Sequence, residues 1–570
     1  MDLRDRAVVA ALLVALGGLS AVALVDRRPE APVSAASPSP SPAPPRAYRE
    51  GFVGQPTAVS PFGAVTAADR ALVALTFAGL VRLGPDGFVP DLAAGWSVDP
   101  SGASYTFELR RDARWQDGEP VTAHDVAFTV GVLRDPAYTG PGGASWRDVT
   151  VTELGPTTVR FDLRDPIAGF LAAATQPIAP AHLLEGTAVA ALATAPFGVA
   201  PIGNGPYRLL AWNSGEAFLE ATAPEAAAPA MSATPTVDSI ASAALPSPRA
   251  GLGLARIEFT FSEDPATLVA AYRRGALDAV SGLPPALAAE LGSEPGSHLL
   301  RYPRTTLTAV VLDLRAGHTA FADARARRGL FEALDRDGIV ATEMAGLAVR
   351  ADSPVPSSYW AYQPPSGVPL GQDLVAAGKD LAAGGWRRVA GGWQRPGAKR
   401  VTPVRIACPD VASSPVSCAV ADAVAADWRA VGLTVEVQRL PPAALVAKHL
   451  RTGDFDAAVL DIALGLDPDL YPLLASSQTV SGGSNVSGLQ DPALDGRLAA
   501  ARRPGPDATR LAAWQDLQTY LAARTFLLPI AFREEVVVAR DELHGPTVRE
   551  LGDGSERFWD VLTWRLADDR

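Results

Sequence analysis

Few residues of this sequence have the types and the spacing that chemistry requires. Zinc sites on helices need two histidines three or four positions apart, and no two histidines have that spacing. The nucleophile elbow G-x-S-x-G, the phosphate loop and the dinucleotide fingerprint G-x-G-x-x-G are also absent. We therefore expect no metal, no cofactor and no catalytic residue. The histidines are dispersed along the chain: His124, His182, His298, His318, His449 and His544.

Two local patterns imitate functional sites. Asp467 and Asp469 resemble the carboxylate pair of a glycosidase, but a chain with 62 acidic residues contains many such pairs. The run Gly482 to Asn485 resembles a phosphate cradle, yet the lysine that should follow it is missing. We interpret the first as ordinary surface charge and the second as a loop.

The two cysteines, Cys408 and Cys418, do not form a metal site, because no CxxC spacing or nearby histidine completes one. In an oxidising compartment they would close a short loop as a disulfide. In a reducing compartment they would be two small buried side chains. The export signal described next favours the disulfide.

An apolar run from Ala7 to Val25 carries no charge. Its nineteen residues would span roughly 28 Å as a helix, enough to cross the hydrocarbon core of a membrane. Residues 1–28 are therefore either a signal peptide cleaved after Ala23 or an uncleaved membrane anchor; a buried core helix is a weaker alternative. No cysteine follows for lipid attachment. Residues 29–47 are rich in Pro, Ser and Ala and form a stiff linker. The rest of the chain is expected outside the cytoplasm.

The overall composition excludes one class of partner. The chain has 570 residues, which indicates two or three domains. A net charge of −12 and the absence of basic clusters exclude a nucleic-acid partner, because phosphates require a basic face.

Hydrophobic periodicity predicts alternating strands and helices. Ser104–Leu109 alternates as a half-buried strand, and Thr122 with Asp125 begins a helix. Arg256–Phe261 predicts a strand, followed by a helix capped by Ser262. From Val401 to Ile462 the order is strand, helix, strand, helix, strand. This alternation indicates a mixed or parallel sheet covered by helices, an α/β fold. Residues 221–252 lack any periodicity and are expected to be a flexible insertion.

The run Pro90–Phe128, PDLAAGWSVDPSGASYTFELRRDARWQDGEPVTAHDVAF, carries a long and specific resemblance. It is similar at almost every fixed position to a signature of the solute-binding proteins of ABC transporters, family 5, the peptide- and nickel-binding type. Shorter matches occur at Gly203–Tyr207, Ala333–Ile339 and Pro354–Tyr362. We interpret the residues of these motifs as architectural, including an ion pair between Asp335 and Arg336.

The resemblance implies a two-lobed, class II (Venus-flytrap) binding-protein fold with an extra inserted domain. The implied divisions are a base lobe, an inserted second domain at 79–199 and an opposing lobe at 301–527. The base lobe combines 48–78, 200–300 and 528–570.

Ligand contacts are also implied by the resemblance. Relatives have a cleft-lining segment just after the strand that corresponds to Phe455–Ile462, and peptide receptors carry there an Asp that pairs with the peptide α-amine. Leu464 or Gly465 occupies that position here, so we expect that free peptides are not anchored by their amine, unless Asp461 or Asp467 substitutes. The implied ligand-binding residues are Ser60, Phe62, Trp360, Asp461, Ala463, Leu464, Gly465, Asp467 and Asn485.

The function implied is that of the extracytoplasmic substrate-binding component of an ABC importer. It would capture a peptide-like or other small organic solute in a cleft between the two lobes and deliver it to the membrane permease subunits, as a monomer held at or released from the membrane. The alternative is a membrane-anchored sensor or scaffold with the same fold. A hydrolase is a distant third.

Overall fold

The computed structural model describes residues 46–85, 87–222, 253–480 and 483–567. The predicted signal peptide or anchor at 1–28, nearly all of the linker at 29–47 and nearly all of the insertion at 221–252 lie outside these ranges. Within them, no helix combines the length and the apolar character needed to cross a membrane.

Most strands of the described ranges are short, and two are long. In chain order the strands are β1 (Tyr48–Val53), β2 (Val81–Gly84), β3 (Gly87–Pro90), β4 (Ala93–Val98), β5 (Ser104–Leu109), β6 (Val149–Gly155), β7 (Thr158–Leu163), β8 (Tyr207–Trp212), β9 (Glu216–Ala221), β10 (Arg256–Ser262), β11 (Ala279–Ser281), β12 (Ser297–Leu312), β13 (Ala348–Arg350), β14 (Arg387–Val389), β15 (Gly392–Gln394), β16 (Val404–Pro409), β17 (Val435–Leu440), β18 (Ala457–Ala463), β19 (Leu527–Arg540), β20 (Leu543–His544) and β21 (Arg565–Leu566).

The helices range from single turns to five turns. In chain order the α-helices are α1 (Ala67–Thr76), α2 (Ala123–Arg134), α3 (Phe170–Ala173), α4 (Ala181–Leu184), α5 (Val189–Leu192), α6 (Pro265–Arg273), α7 (Pro285–Gly292), α8 (Ala324–Glu332), α9 (Arg336–Glu343), α10 (Leu374–Ala383), α11 (Pro415–Ala430), α12 (Pro442–Ala444), α13 (Tyr471–Leu474), α14 (Pro492–Ala501) and α15 (Asp507–Arg524). A 3-10 helix, Gly554–Thr563, follows Asp553 near the end of the chain and is called the C-terminal segment below.

One mixed sheet joins most of these strands, in the order β17-β16-β18-β12-β19-β11-β1-β10-β9-β8, with β13 paired to β19. Strands β17, β16 and β18 pair in parallel, as do β10, β1 and β11. The pairs that β12 and β19 make are antiparallel. Parallel neighbours need crossover helices, which cover the sheet. The predicted α/β class is confirmed.

The long strands β12 and β19 connect the two ends of this sheet. Their pairing is irregular between Pro303 and Leu307, midway along both strands. On one side lie β1 and β8–β11, which we call the base region. On the other side lie β16–β18, which with α8–α15 we call the opposing region. Strands β16 to β18 fall within the predicted opposing lobe at 301–527, whose exact bounds stay a prediction.

A separate antiparallel sheet, β4-β5-β7-β6, lies within the span 79–199 that was expected to form an inserted domain. We call it the inserted sheet. Its buried Phe107 and Phe161 belong to the same hydrophobic core as Tyr48 and Phe259 of the base region. The opposing region has two large cores on opposite faces of its sheet, around Trp428 and around Trp514, and a smaller cluster around Phe455.

The sequence patterns predicted several elements correctly. Strand β5 has the predicted bounds, and α11 buries Val420, Val424 and Trp428 on one face. The carboxylate of Asp125 accepts a hydrogen bond from the Thr122 amide at 2.8 Å, as expected of a capping box.

Two predictions about helix starts and ion pairs were wrong. Helix α6 is capped by Asp264, not by Ser262, and Pro265 occupies its first position. Asp335 does not pair with Arg336: its carboxylate caps α9 by accepting from the Gly338 amide at 2.9 Å. The Arg336 guanidinium instead reaches the carboxylate of Asp352 at 2.9 Å.

Cys408 at the end of β16 and Cys418 in α11 are buried and are separate thiols in the structure. Burial, and then the neighbouring Cys418, raises the pKa of the Cys408 thiol to about 12. Because the two thiols are not bonded in the structure, the disulfide stays a prediction for the exported protein. Closing this short loop should stabilise the fold by roughly 2–3 kcal/mol. Thiol labelling of denatured, unreduced protein should find no free thiol, and two labels per chain would contradict the link.

Candidate ligand-binding cleft

A cavity of about 830 Å³ lies between helix α1, the edge of the inserted sheet and the C-terminal segment, and none of its lining residues belongs to the predicted opposing lobe at 301–527. Its walls come from α1, β2, the start of β4, the chain around Trp146 and Gln176, and the C-terminal segment. This volume suits a small organic molecule, since ligand sites in proteins usually measure about 300–1,000 Å³. The walls are mainly apolar, and seven charged residues are among those that line them: Arg70, Arg82, Asp91, Arg110, Asp553, Glu556 and Asp560.

The first charged group of the cavity is an ion pair. Arg70 of α1 lies with its Nε atom 3.0 Å from the Asp553 carboxylate. Burial opposes ionisation of Asp553, but Arg70 and hydrogen bonds from Ser555 outweigh it, so the pKa of Asp553 is lowered. Asp553 is therefore a carboxylate that is already neutralised by its own chain.

The second charged group is Glu556, one turn further along the C-terminal segment. Its carboxylate accepts a hydrogen bond from the Gly552 amide at 2.8 Å. Burial raises the pKa of Glu556 to about 7, and that amide hydrogen bond only partly offsets the effect. Glu556 thus exchanges its proton near neutral pH.

Two of the expected ligand contacts lie beside this cavity without lining it. Ser60 and Phe62 are buried, and the Phe62 ring packs edge-on against Phe128 and Tyr138. Their neighbours Pro61 and Ala64 do line the cavity. Ser60 and Phe62 are thus buried in the loop after β1, and their contact with a ligand stays a prediction.

Asp461 on β18 is surrounded by polar partners. Its carboxylate accepts from the Thr308 hydroxyl at 2.5 Å and from the Ser417 hydroxyl at 2.9 Å. The Arg533 guanidinium lies 3.3 Å away. Ala463, two residues on, is exposed and pairs with Thr306 of β12. Asp461 is thus already paired within the opposing region.

Leu464 and Gly465, the residues expected at the position of an amine-binding Asp, have structural roles. Leu464 is 6% exposed and packs in the core around Trp514. Its amide donates to the Thr305 carbonyl at 3.3 Å. Gly465 has φ +73°, a left-handed conformation that favours glycine.

Asp467 belongs to a cluster with Tyr359, Trp360 and Arg510. Its carboxylate accepts from the Tyr359 hydroxyl at 2.5 Å and pairs with Arg510 at 3.0 Å. Trp360 is 47% exposed, and the same guanidinium lies 5.3 Å from its ring centre. Asp467 and Asp461 are thus both paired with arginines, which weakens the case that either replaces the missing Asp.

Asn485 holds a loop together. Its side-chain amide donates to the carbonyls of Ala475 and Leu489, both at 3.0 Å, and its oxygen accepts from the Ser487 hydroxyl. Asn485 is 4% exposed. None of the nine expected ligand-binding residues lines the cavity, and their contact with a ligand stays a prediction.

The opposing region touches the rest of the molecule near Asp467. The Ala168 amide, after the inserted sheet, donates to the Arg502 carbonyl at 2.9 Å. Burial, followed by the nearby Asp467 carboxylate, raises the pKa of Tyr105 in β5 to about 12. Ser358 donates a hydrogen bond to Glu550 close to the C-terminal segment. These contacts bring the two sides of the molecule together around the Asp467 cluster.

The cavity wall formed by the C-terminal segment was missed by sequence reasoning. Its acidic and aromatic residues have no periodic spacing, and acidic residues are common in this chain. The only local signal was the cap formed by Asp553, which accepts from the Ser555 amide. Among the described residues, no group of three or more His, Cys, Asp or Glu side chains is arranged to hold a metal ion.

Residues 87–484 match the bacterial extracellular solute-binding proteins, family 5 Middle. This match covers more than half of the chain, and the protein belongs to that family. Members of this family bind solutes and are not enzymes.

Individual relatives agree with this assignment. Protein XP55 of Streptomyces lividans is 28% identical over 470 residues, covering 81% of this chain and 79% of that protein. The structure of oligopeptide-binding protein AppA from Bacillus subtilis, in complex with a nonapeptide, has a TM-score of 0.71 at 20% identity and covers 93% of this chain and 100% of that chain. NikZ from Campylobacter jejuni, in complex with Ni(L-His), has a TM-score of 0.71 at 22% identity and covers 92% of this chain and 100% of that chain. The fold predicted from the sequence motifs is confirmed.

Proposed function

We propose that this protein is the substrate-binding component of an ABC importer and that it holds its solute in the cavity beside the C-terminal segment. The observation that carries this proposal is the cavity itself: about 830 Å³, mainly apolar, with a few charged groups converging on it. That is the usual constitution of a small-molecule site. The chain's membership of a solute-binding family supports the same reading.

The partners follow from this role. The solute would be delivered to the permease subunits of the transporter by a monomer outside the cytoplasm, anchored through residues 1–28 or released after their cleavage. Strands β12 and β19 are the natural hinge, because they connect the base and opposing regions and their pairing is irregular near Pro303. Bending there would move the opposing region relative to the base region.

The location of the site is tested by filling the cavity. Ala173 lines it and is half-buried, so Ala173→Trp should occupy the space and weaken solute binding about 100-fold or more. Solutes that co-purify with the unmodified protein are identified by mass spectrometry and then titrated calorimetrically.

The matched control is Ala382→Trp, on the exposed face of α10 and away from the cavity. This variant should bind the solute as tightly as the unmodified protein. Equal binding by both tryptophan variants and the unmodified protein would place the site elsewhere.

The segment after β18 makes a prediction about peptides. Leu464 is buried, and it or Gly465 occupies the position at which the family resemblance implies an amine-binding Asp, so no carboxylate at that position can pair with a free α-amine. Trialanine and N-acetyl-trialanine should therefore bind with affinities within about threefold of each other. A protein that pairs the amine with a buried carboxylate loses about 100-fold or more when that partner is removed. A loss of that size on acetylation would show that another acid anchors peptides.

A further inference from the structure

The opposing region directly contacts the turn that follows the inserted sheet. The amide of Ala168 donates a hydrogen bond to the carbonyl of Arg502 at 2.9 Å. Gly169, the next residue, lies against Asp467: a Cβ atom at Gly169 would be 3.4 Å from the Cβ atom of Asp467, an ordinary van der Waals contact. The two surfaces therefore meet at this point without space for a molecule between them.

The contact with Asp467 gives a reason for the glycine at position 169. The backbone of Gly169 has φ −76° and ψ 9°, values that residues with side chains also adopt. The conformation of this turn therefore does not require glycine. What the missing side chain provides is room for the close approach of Asp467.

A second close approach involves the turn between β4 and β5. A Cβ atom at Gly102 would be 2.6 Å from the ring of Pro504, too short for a real contact. Pro504 lies two residues after Arg502, so both contacts use the same stretch of the opposing region. The inserted sheet thus meets this stretch at two separate turns.

A third contact is apolar and lies at the loop before the C-terminal segment. Leu466 is partly buried against the core that the base region shares with the inserted sheet. Its Cγ atom would be 3.5 Å from a Cβ atom at Gly552. In the same loop, the carboxylate of Glu550 accepts a hydrogen bond from the Ser358 hydroxyl. Burial of the leucine side chain stabilises this contact without a ligand.

The charged groups at these surfaces already have partners within the opposing region. Asp467 pairs with Arg510 at 3.0 Å, and Arg502 pairs with Asp469 at 2.8 Å. Removing an unpaired charge from water would oppose the contact. Because both charges are paired beforehand, the two sides can meet without that cost.

We propose that these contacts form a latch that holds the opposing region against the inserted sheet in the solute-free protein. One side of the latch is Gly102, Ala168 and Gly169, and the other is Leu466, Asp467 and the stretch Arg502–Pro504. The cavity is lined by none of these residues, so a solute in it does not bridge the two sides. Closure is then a property of the chain itself, which goes beyond the proposed function.

A latched protein has a measurable signature at the Ala168 amide. Its bond to the Arg502 carbonyl exists only while the two sides are in contact. If the open form is a minor state of about 10% or less, hydrogen exchange of this amide should be slowed about tenfold or more without any solute. Mass spectrometry of the peptide that contains Ala168 measures this rate on the full-length protein, after dialysis has removed all detectable solute.

Gly169→Trp should open the latch, because the indole displaces Asp467. Exchange at Ala168 should then accelerate about tenfold or more. The matched control is Gly155→Trp on the inserted sheet, where a Cβ atom would meet nothing within 4 Å, and it should leave the rate unchanged. In both variants the amides of β5 should stay protected, which shows that the sheet is folded.

A pair of cysteines provides the test if the tryptophan variant does not fold. In Gly169→Cys/Asp467→Cys the Cβ separation of 3.4 Å is close to the roughly 3.5–4.5 Å of a disulfide. The two thiols should therefore link on mild oxidation of the solute-free protein, whereas those of Gly155→Cys/Asp467→Cys should not. The Asp467 substitution removes the partner of Arg510 and weakens the latch, so a link formed despite it is the stricter result.

Three results would overturn the latch: an unprotected Ala168 amide in the solute-free protein, protection that Gly169→Trp leaves unchanged, or, where that variant does not fold, the absence of the link between positions 169 and 467. None of them would affect the proposed cavity, which contains no residue of the latch. Conversely, failure of the Ala173→Trp test would relocate the solute site and leave the latch standing.

Discussion

Replacing Arg557 by methionine should lower the free energy of unfolding by about 3–5 kcal/mol, because it strands a buried carboxylate. Arg557 is 2% exposed and Glu50 is fully buried. The guanidinium lies 2.5 Å from the Glu50 carboxylate, which also accepts from the hydroxyls of Ser281 at 2.6 Å and Tyr48 at 2.8 Å. The pair joins the C-terminal segment to β1, so its loss should also loosen the cavity wall.

The measurement is a urea denaturation curve for the unmodified protein and three variants. The double variant Glu50→Gln/Arg557→Met should recover part of the loss, since the stranded charge is then gone. The control Arg164→Met removes an arginine that is 69% exposed and pairs with Asp148, and its midpoint should hardly move. A loss for Arg557→Met no larger than that of the control would show that the buried pair contributes little.

The sequence predicted those elements correctly in which the hydrophobic periodicity is regular and uninterrupted. Strand β5 alternates without interruption, and its inward residues Tyr105, Phe107 and Leu109 are all buried. Helix α6 was placed correctly, but its cap was not, because Asp264 lies directly before Pro265 and its short carboxylate reaches the first free amide better than Ser262 does. When two residues that can cap a helix lie within a few positions of each other, the sequence pattern alone does not decide which of them is the cap.

Ion pairs were less predictable than elements. Adjacent residues Asp335 and Arg336 suggested a pair, yet at a helix start the acid caps the amide of Gly338 while the arginine reaches Asp352, sixteen positions away. The side chains of neighbours on a helix point in different directions, so adjacency in sequence does not bring their charges together.

The candidate cavity could be predicted only in part for a related reason. The family resemblance implied ligand contacts at Ser60 and Phe62, and the structure places only their neighbours Pro61 and Ala64 in the cavity wall. Glu556 could not be distinguished from the other acids, because its raised pKa comes from burial by segments that are distant in sequence. A buried position and its dielectric are tertiary properties, which no local pattern encodes.

Substituting Asp456 by asparagine should also destabilise the protein strongly at neutral pH, by about 3–5 kcal/mol. The side chain of Asp456 is 3% exposed, and its carboxylate accepts two hydrogen bonds from Arg395 at 2.7 Å each. It also accepts from the Arg405 amide at 2.7 Å and interacts with the His318 ring at 2.8 Å. These contacts join β16 and the chain around β15 to the start of β18.

The effect should depend on pH in a defined direction. Burial opposes ionisation of Asp456, but the His318 hydrogen bond and the Arg395 charge outweigh it and hold the pKa of this carboxyl well below its usual range. A lowered pKa in the folded state means that the stabilisation is fully present above the unfolded pKa, near 3.9, and is lost as the pH falls toward the folded pKa. The gap between the unmodified protein and Asp456→Asn should therefore be constant from pH 7 to pH 5 and narrow below about pH 4.

Urea denaturation at pH 7, 5 and 3.5 measures that gap. Asp454→Asn is the matched control, because Asp454 lies two residues earlier and pairs with Arg405 but is 56% exposed. Its loss should be much smaller at every pH, since exposed ion pairs are screened by solvent. If the difference in free energy of unfolding between the unmodified protein and Asp456→Asn were the same at pH 3.5, the packing of the side chain, and not its charge, would be what stabilises the start of β18.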